Sequence, residues 1–177
     1  MVLIAFLTAL GGGLIRDLSI GAIPPVGLSS PTYLVTVFVG SLVAVYGQGL
    51  LSRLSRSVLF FDSIGLGLFA VSGANKAYLY TQNIEVAILL GMITGVGGGL
   101  IRDVILNRIP VILQKEVYAL AALLGACVQI LGEKLGLAGV GWAWCSVALC
   151  VSVRLLALKY GWQVTWPFNP KPPDHNS

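Results

Sequence analysis

Apolar residues run along this chain in six long blocks, each closed by a short polar or glycine- and proline-bearing stretch. The blocks cover residues 2–18, 32–51, 58–80, 85–106, 116–131 and 138–158. Most approach the roughly 20 residues a helix needs to cross ~30 Å of hydrocarbon. The pattern predicts six membrane-crossing helices, the first of them short because its apolar part begins at Met1.

Composition supports that reading. Hydrophobic residues make up 56% of the 177 and charged residues 10%, with a mean hydropathy of +0.89. A soluble domain carries about a quarter charged residues, so this chain lacks the polar surface of one. The net charge of +4 does not point to nucleic acid, because the basic residues stand singly between apolar runs and form no stripe. They read instead as topology signals. Threading six spans puts Arg53, Arg56, Arg102, Arg108, Lys115, Arg154, Lys159 and Lys171 on one side, and Arg16, Lys76 and Lys134 on the other. The positive-inside rule makes the richer side cytoplasmic, and the C-terminus with it.

Two stretches are near copies: "ALGGGLIRDLSIGAIP" from Ala9 and "GVGGGLIRDVILNRIP" from Gly95. They align at one constant offset, Gly11 with Gly97, Arg16 with Arg102, Asp17 with Asp103 and Pro24 with Pro110. The spacing is too long for a solenoid unit and fits duplication of a three-helix unit. Three crossings turn the second copy over, so the repeat is inverted, a common plan in transporters.

Each copied feature carries a cost inside a membrane. A helical glycine costs roughly 1 kcal/mol relative to alanine, and three in a row, at Gly11, Gly12 and Gly13 and at Gly97, Gly98 and Gly99, invite a kink or a break. A charge at membrane depth costs about 2.5–3.5 kcal/mol, which each Arg-Asp pair offsets if the two neutralise one another. Close helix packing and snorkelling are the plainer readings. The inverted pair favours two broken helices facing each other across a polar path.

Other residues carry less. Asp62 suits a helix start; Lys76 suits snorkelling at the far end of the same helix; Trp142 and Trp144 suit an outer aromatic belt. Cys127, Cys145 and Cys150 lie in apolar runs without metal-ligand spacing, and His175 sits in a polar tail. No cofactor or metal is expected. Neither is an enzyme, since no Ser/His, Cys/His or HExxH set falls within the spans.

The two "GGGLIRD" copies, "FDSIGLGLFAVSGANKA" and "IPVILQKEVYA" resemble bacterial membrane proteins with two tandem glycine-transporter domains. Those proteins are prokaryotic relatives of the trimeric intracellular cation channels. The resemblance implies an all-α, polytopic bundle of two inverted three-helix repeats plus a final helix. It also implies a homotrimer in the bacterial inner membrane and conduction of monovalent cations, mainly K+, through a pore in each protomer. By motif, the pore residues are the six glycines with Arg16, Asp17, Arg102 and Asp103, and Lys115 contacts anionic lipid. Seven helices are expected of the family and six are legible, so the first repeat lacks its first helix. The expected organisation is residues 1–57 for the first repeat, 58–134 for the second, 135–160 for the final span and 161–177 for a cytoplasmic tail. A secondary transporter of a small zwitterion such as glycine is the alternative, and a non-transporting scaffold is a third reading.

Overall fold

The computed structural model describes residues 2–47, 55–114, 117–137 and 139–162. Among them are eight helices: α1 (Val2–Ser19), α2 (Val26–Ser29), α3 (Pro31–Tyr46), α4 (Ser55–Thr81), α5 (Ile84–Ile105), α6 (Val111–Gln114), α7 (Val117–Lys134) and α8 (Val140–Tyr160). Each apolar block holds one long helix. Four of these, α1, α5, α7 and α8, have both the length and the apolarity to cross a membrane. Helix α3 is apolar but has 16 residues, and α4, the longest at 27, carries Asp62 and Lys76. Length and apolarity together therefore mark four spans, where the block pattern predicts six.

Local chemistry sets the helix ends. Ser30 caps α3, its hydroxyl accepting from the Tyr33 N–H at 3.4 Å, with Pro31 in the first turn where a missing N–H is harmless. Asn83 caps α5 by accepting from the Val86 N–H at 3.0 Å, and Glu85 follows in the first turn. Helix α3 ends at Tyr46 with Gly47 as its C-cap; the rest of its apolar block, residues 48–51, lies outside the described residues.

The centre is α5, which packs against α1, α4 and α7, while α8 closes the far side against α4 and α7. Small residues allow this. One cluster joins Leu66, Ala70, Val96, Tyr118, Ala121, Ala122 and Cys150; a second joins Ala74, Ala77, Ala87, Leu90, Ala126 and Ile130. The lean alanine faces let helix backbones approach closely, as membrane helices do. Helix α3 lies at the edge, packed on α1 and α2, with Ser41 its one buried residue.

Several expectations change here. Helices α1 and α5 run through their glycine triplets without a break. Asp62 lies two turns inside α4, because the helix starts at Ser55, ahead of the apolar run. Trp142 is tucked between helices: its indole lies against Gly132 and donates to the Val128 carbonyl at 2.8 Å. Lys115, and the tail from residue 163 with Lys171 and His175, lie outside the described residues.

Candidate functional site

The copied motifs meet each other. Thr8 and Gly12 of α1 stand opposite Gly98 and Thr94 of α5, so the two helices cross antiparallel. A side chain at Gly12 would strike the Thr94 carbonyl oxygen, and one at Gly98 would strike the Thr8 carbonyl oxygen. A second matched set lies beside the first. Gly11 faces Ile101, and a Cβ added at Gly97 would lie 3.5 Å from Ile15 and 3.1 Å from the Gly12 Cα. Both threonine hydroxyls bond back into their own helices, Thr8 to the Ile4 carbonyl at 2.7 Å and Thr94 to the Leu90 carbonyl at 2.5 Å. These pairs are related by the sequence repeat, so the crossing is a local pseudo-two-fold centre. Missing side chains let carbonyl oxygens approach Cα hydrogens, a weak attraction that recurs at close helix contacts.

Beyond each triplet the motif closes its helix in the same way. Gly21 and Asn107 occupy matching left-handed positions, at φ 68° and 52°. In one copy Ala22 N–H donates to the Asp17 carbonyl and Gly21 N–H to that of Leu18; in the other Arg108 donates to Asp103 and Asn107 to Val104. This double bond pattern satisfies the last carbonyls of a helix. The aspartates then hold down the following short helix. Val26 N–H donates to Asp17 Oδ2 and Val111 N–H donates to Asp103 Oδ2, both at 3.0 Å.

The charges differ between the copies. Arg16 gives both Nε and Nη2 to Asp17 Oδ1 at 2.8 Å, and Lys76 reaches the same oxygen at 2.7 Å. Lys76 thus ties α4 to α1 where snorkelling was expected. Asp17 is 1% exposed. Arg102 gives Asp103 Oδ1 its Nε at 2.9 Å, and its side chain is 36% exposed.

A cavity of about 400 Å³ opens at the crossing. Repeat-matched residues line it from both helices: Thr8, Ala9, Gly12 and Gly13 with Thr94, Gly95, Gly98 and Gly99. Helix α4 adds Asp62, Gly65, Leu66 and Phe69, and Arg102, Leu106 and Tyr118 complete one end. Gly11 and Gly97 face the helix contact instead, and Arg16 and Asp17 lie away from this lining. Asp103 lines a neighbouring cleft of about 570 Å³ together with Arg102, Leu106 and Arg108.

Behind the charged end lies a group that sequence reasoning gave no site role. The guanidinium of Arg154, 2% exposed, stacks over the Tyr118 ring at 4.7 Å, and its Nε has no hydrogen-bond partner among the described residues. Asp62 shares the cavity wall and the adjoining crevice with Tyr118 and Arg102, within the field of the Arg102 and Arg154 charges. The sequence marks Arg154 only as a topology charge. The threonines carried a legible signal, since "TALGGG" and "TGVGGG" keep Thr8 and Thr94 in register.

Comparison with known proteins follows this geometry. A family model described as "Glycine transporter" matches residues 1–48 and 59–134. A UPF0126 membrane protein of Vibrio cholerae is 33% identical over 168 residues, covering 94% of this chain and 70% of that protein. The UPF0126 inner membrane protein YadS of Escherichia coli K12 is 38% identical over 130 residues, covering 73% of this chain and 63% of that protein. Among solved structures, one describing the structural basis for conductance through TRIC cation channels matches with TM-score 0.86 and 35% identity, over 94% of this chain and 82% of that one. The TRIC trimeric intracellular cation channel orthologue from Rhodobacter sphaeroides matches with TM-score 0.82 and 31% identity, over 88% and 80%. Family and fold are those of channel-type membrane proteins and not of enzymes. The chain belongs to the bacterial glycine transporter (UPF0126) family of membrane proteins, and its fold is that of the TRIC cation channels.

Proposed function

We propose that this chain forms a cation channel whose path runs through each protomer along the cavity at the α1–α5 crossing. The carrying observation is that the two inverted motifs build one cavity, lined by backbone-exposing glycines from both copies, in a fold shared with TRIC cation channels. Bare backbone at membrane depth is tolerated where it packs in protein or lines a water-filled route. In this reading Gly12, Gly13, Gly98, Gly99 and Arg102 line the route, and Gly11 and Gly97 hold its walls together. Arg16, Asp17 and Asp103 fix its ends. K+ is the main permeant ion.

The same reading takes residues 1–57 and 58–134 as inverted repeats, 135–160 as a final span and 161–177 as a cytoplasmic tail. It makes the assembly a homotrimer in the bacterial inner membrane, with anionic lipid at Lys115. The trimeric R. sphaeroides orthologue supports the assembly, and the inner-membrane relative YadS supports the location.

One observation favours a second reading, transport of a small zwitterion. Asp62 and Arg102 stand together on the cavity wall, an acid and a guanidinium that match an ammonium and a carboxylate. Against it, α1 and α5 are unbroken, so they lack the half-helix ends that hold carboxylates in transporters. Purified protein in KCl-loaded liposomes separates the two. Channel activity gives single-channel current steps and K+ flux without added amino acid; transport gives saturable glycine counterflow and no steps.

A further inference from the structure

Three cavities of different size meet at one side chain. Arg102 lines the 400 Å³ cavity at the crossing, the 570 Å³ cleft beside Asp103 and Arg108, and the narrow crevice between them. Its repeat mate Arg16 lines none of the three. The difference follows from their tethers. Arg16 is held through two nitrogens on an aspartate that a lysine also grips. Arg102 is anchored to Asp103 through Nε; its Nη2 lies 4.0 Å from the position a Gly99 side chain would take, as Arg16 Nη2 lies 3.9 Å from that at Gly13. With one nitrogen on Asp103 and 36% of its side chain exposed, the Arg102 guanidinium is the less tightly held of the two.

The seat for that head is Asp62. It is the one acid among the described residues lining the cavity at the crossing, it shares the narrow crevice with Arg102, and it lies in the field of both Arg102 and Arg154. Arg154 cannot take over as a mobile partner, since it is buried and stacked on Tyr118. Tyr118 itself stands at the cavity wall. Asp62 therefore answers to two positive charges, a buried guanidinium at Arg154 and a more exposed one at Arg102. Because Arg102 lines both the cleft and the cavity, a cation passing from one to the other passes its charge.

We propose that Arg102 is a tethered plug at this end of the path and that Asp62 is the seat on which it closes. This rests on the channel reading above. When the head swings onto Asp62 its charge bars cations from the cavity; when it retracts toward Asp103 the acid is free to attract them. Asp62 is then the residue that favours cations over anions, and Arg102 sets how often the path is open.

The test is K+ flux into liposomes holding the purified full chain, with trimer integrity checked by size exclusion. Arg102→Gln keeps the size and removes the charge; it should raise flux at least about tenfold, a change equal to about 1.4 kcal/mol of barrier. Lys134→Gln, an exposed residue outside the cavities, controls for loss of any positive charge. Asp62→Asn should lower the K+ to Cl− permeability ratio toward one. In Arg102→Ala, free guanidinium ion at millimolar concentration should restore the block, which a merely structural arginine would not produce. Flux in Arg102→Gln equal to wild type, with wild type conducting, overturns the plug and spares the channel. So does a wild-type permeability ratio in Asp62→Asn, or guanidinium that leaves Arg102→Ala unblocked. Absence of flux in wild type and every variant overturns both.

Discussion

Gly12 faces the carbonyl oxygen of Thr94, and their repeat mates Gly98 and Thr8 make the same contact in reverse. A single added methyl at either glycine lands on backbone, which cannot rotate away as a side chain does. Gly12→Ala and Gly98→Ala should each push α1 from α5 and destabilise by about 1–3 kcal/mol, the usual range for overpacking. Gly13→Ala and Gly99→Ala are the internal controls. There the methyl meets the Arg16 guanidinium at 3.9 Å, or the Tyr118 hydroxyl at 3.6 Å and the Arg102 guanidinium at 4.0 Å, all side-chain ends at ordinary contact distance. Thermal midpoints of the four variants in detergent should fall for the first pair alone.

Asp17 holds Arg16, Lys76 and the Val26 N–H, and is almost wholly buried. Asp17→Ala leaves two cations unpaired, and breaking a buried pair this way costs about 3–5 kcal/mol. Lys76→Met added to it should recover part of that loss. Asp103→Ala should be milder, because its partner Arg102 is half-open to solvent and keeps water as a substitute. Equal losses at the two aspartates, read as shifts in thermal midpoint, would contradict the unequal anchoring of the two arginines.

Gly21 and Asn107 share a left-handed backbone at matching helix ends. Asn107→Gly should therefore stabilise by a few tenths of a kcal/mol, and Gly21→Ala should destabilise by about 1 kcal/mol. Opposite signs at the two positions, measured by the same thermal assay, are the check on the repeat's local geometry.

The repeat was legible because "GGGLIRD" occurs twice in register and the charge bias turns one copy over. The helices were legible because apolar blocks of that length have few other uses. The role of the triplets was only half legible. A run of three glycines reads as a weak point of one helix, whereas here it serves two helices at once. Gly11 and Gly12 remove side chains toward the partner, and Gly13 opens the cavity. The distinction depends on which way each Cα faces at a crossing, and no single-helix pattern encodes that. The partners of Lys76 and Arg154 are not legible in the sequence for a related reason. A lone basic residue near a helix end looks the same whether it reaches water, an aspartate on another helix or a tyrosine ring.

The claim that ions pass through the cavity at the crossing is tested most directly at Gly13 and Gly99. Both line the cavity, and a Cβ at either meets only ordinary contacts, so leucine fills the route without wedging the helices apart at backbone. K+ flux would be measured in liposomes for Gly13→Leu and Gly99→Leu beside wild type, with assembly confirmed by size exclusion. The account predicts flux lowered at least about tenfold, or about 1.4 kcal/mol of added barrier, in protein that assembles as wild type does. Wild-type flux through both assembled variants would place the path elsewhere in the molecule and contradict it.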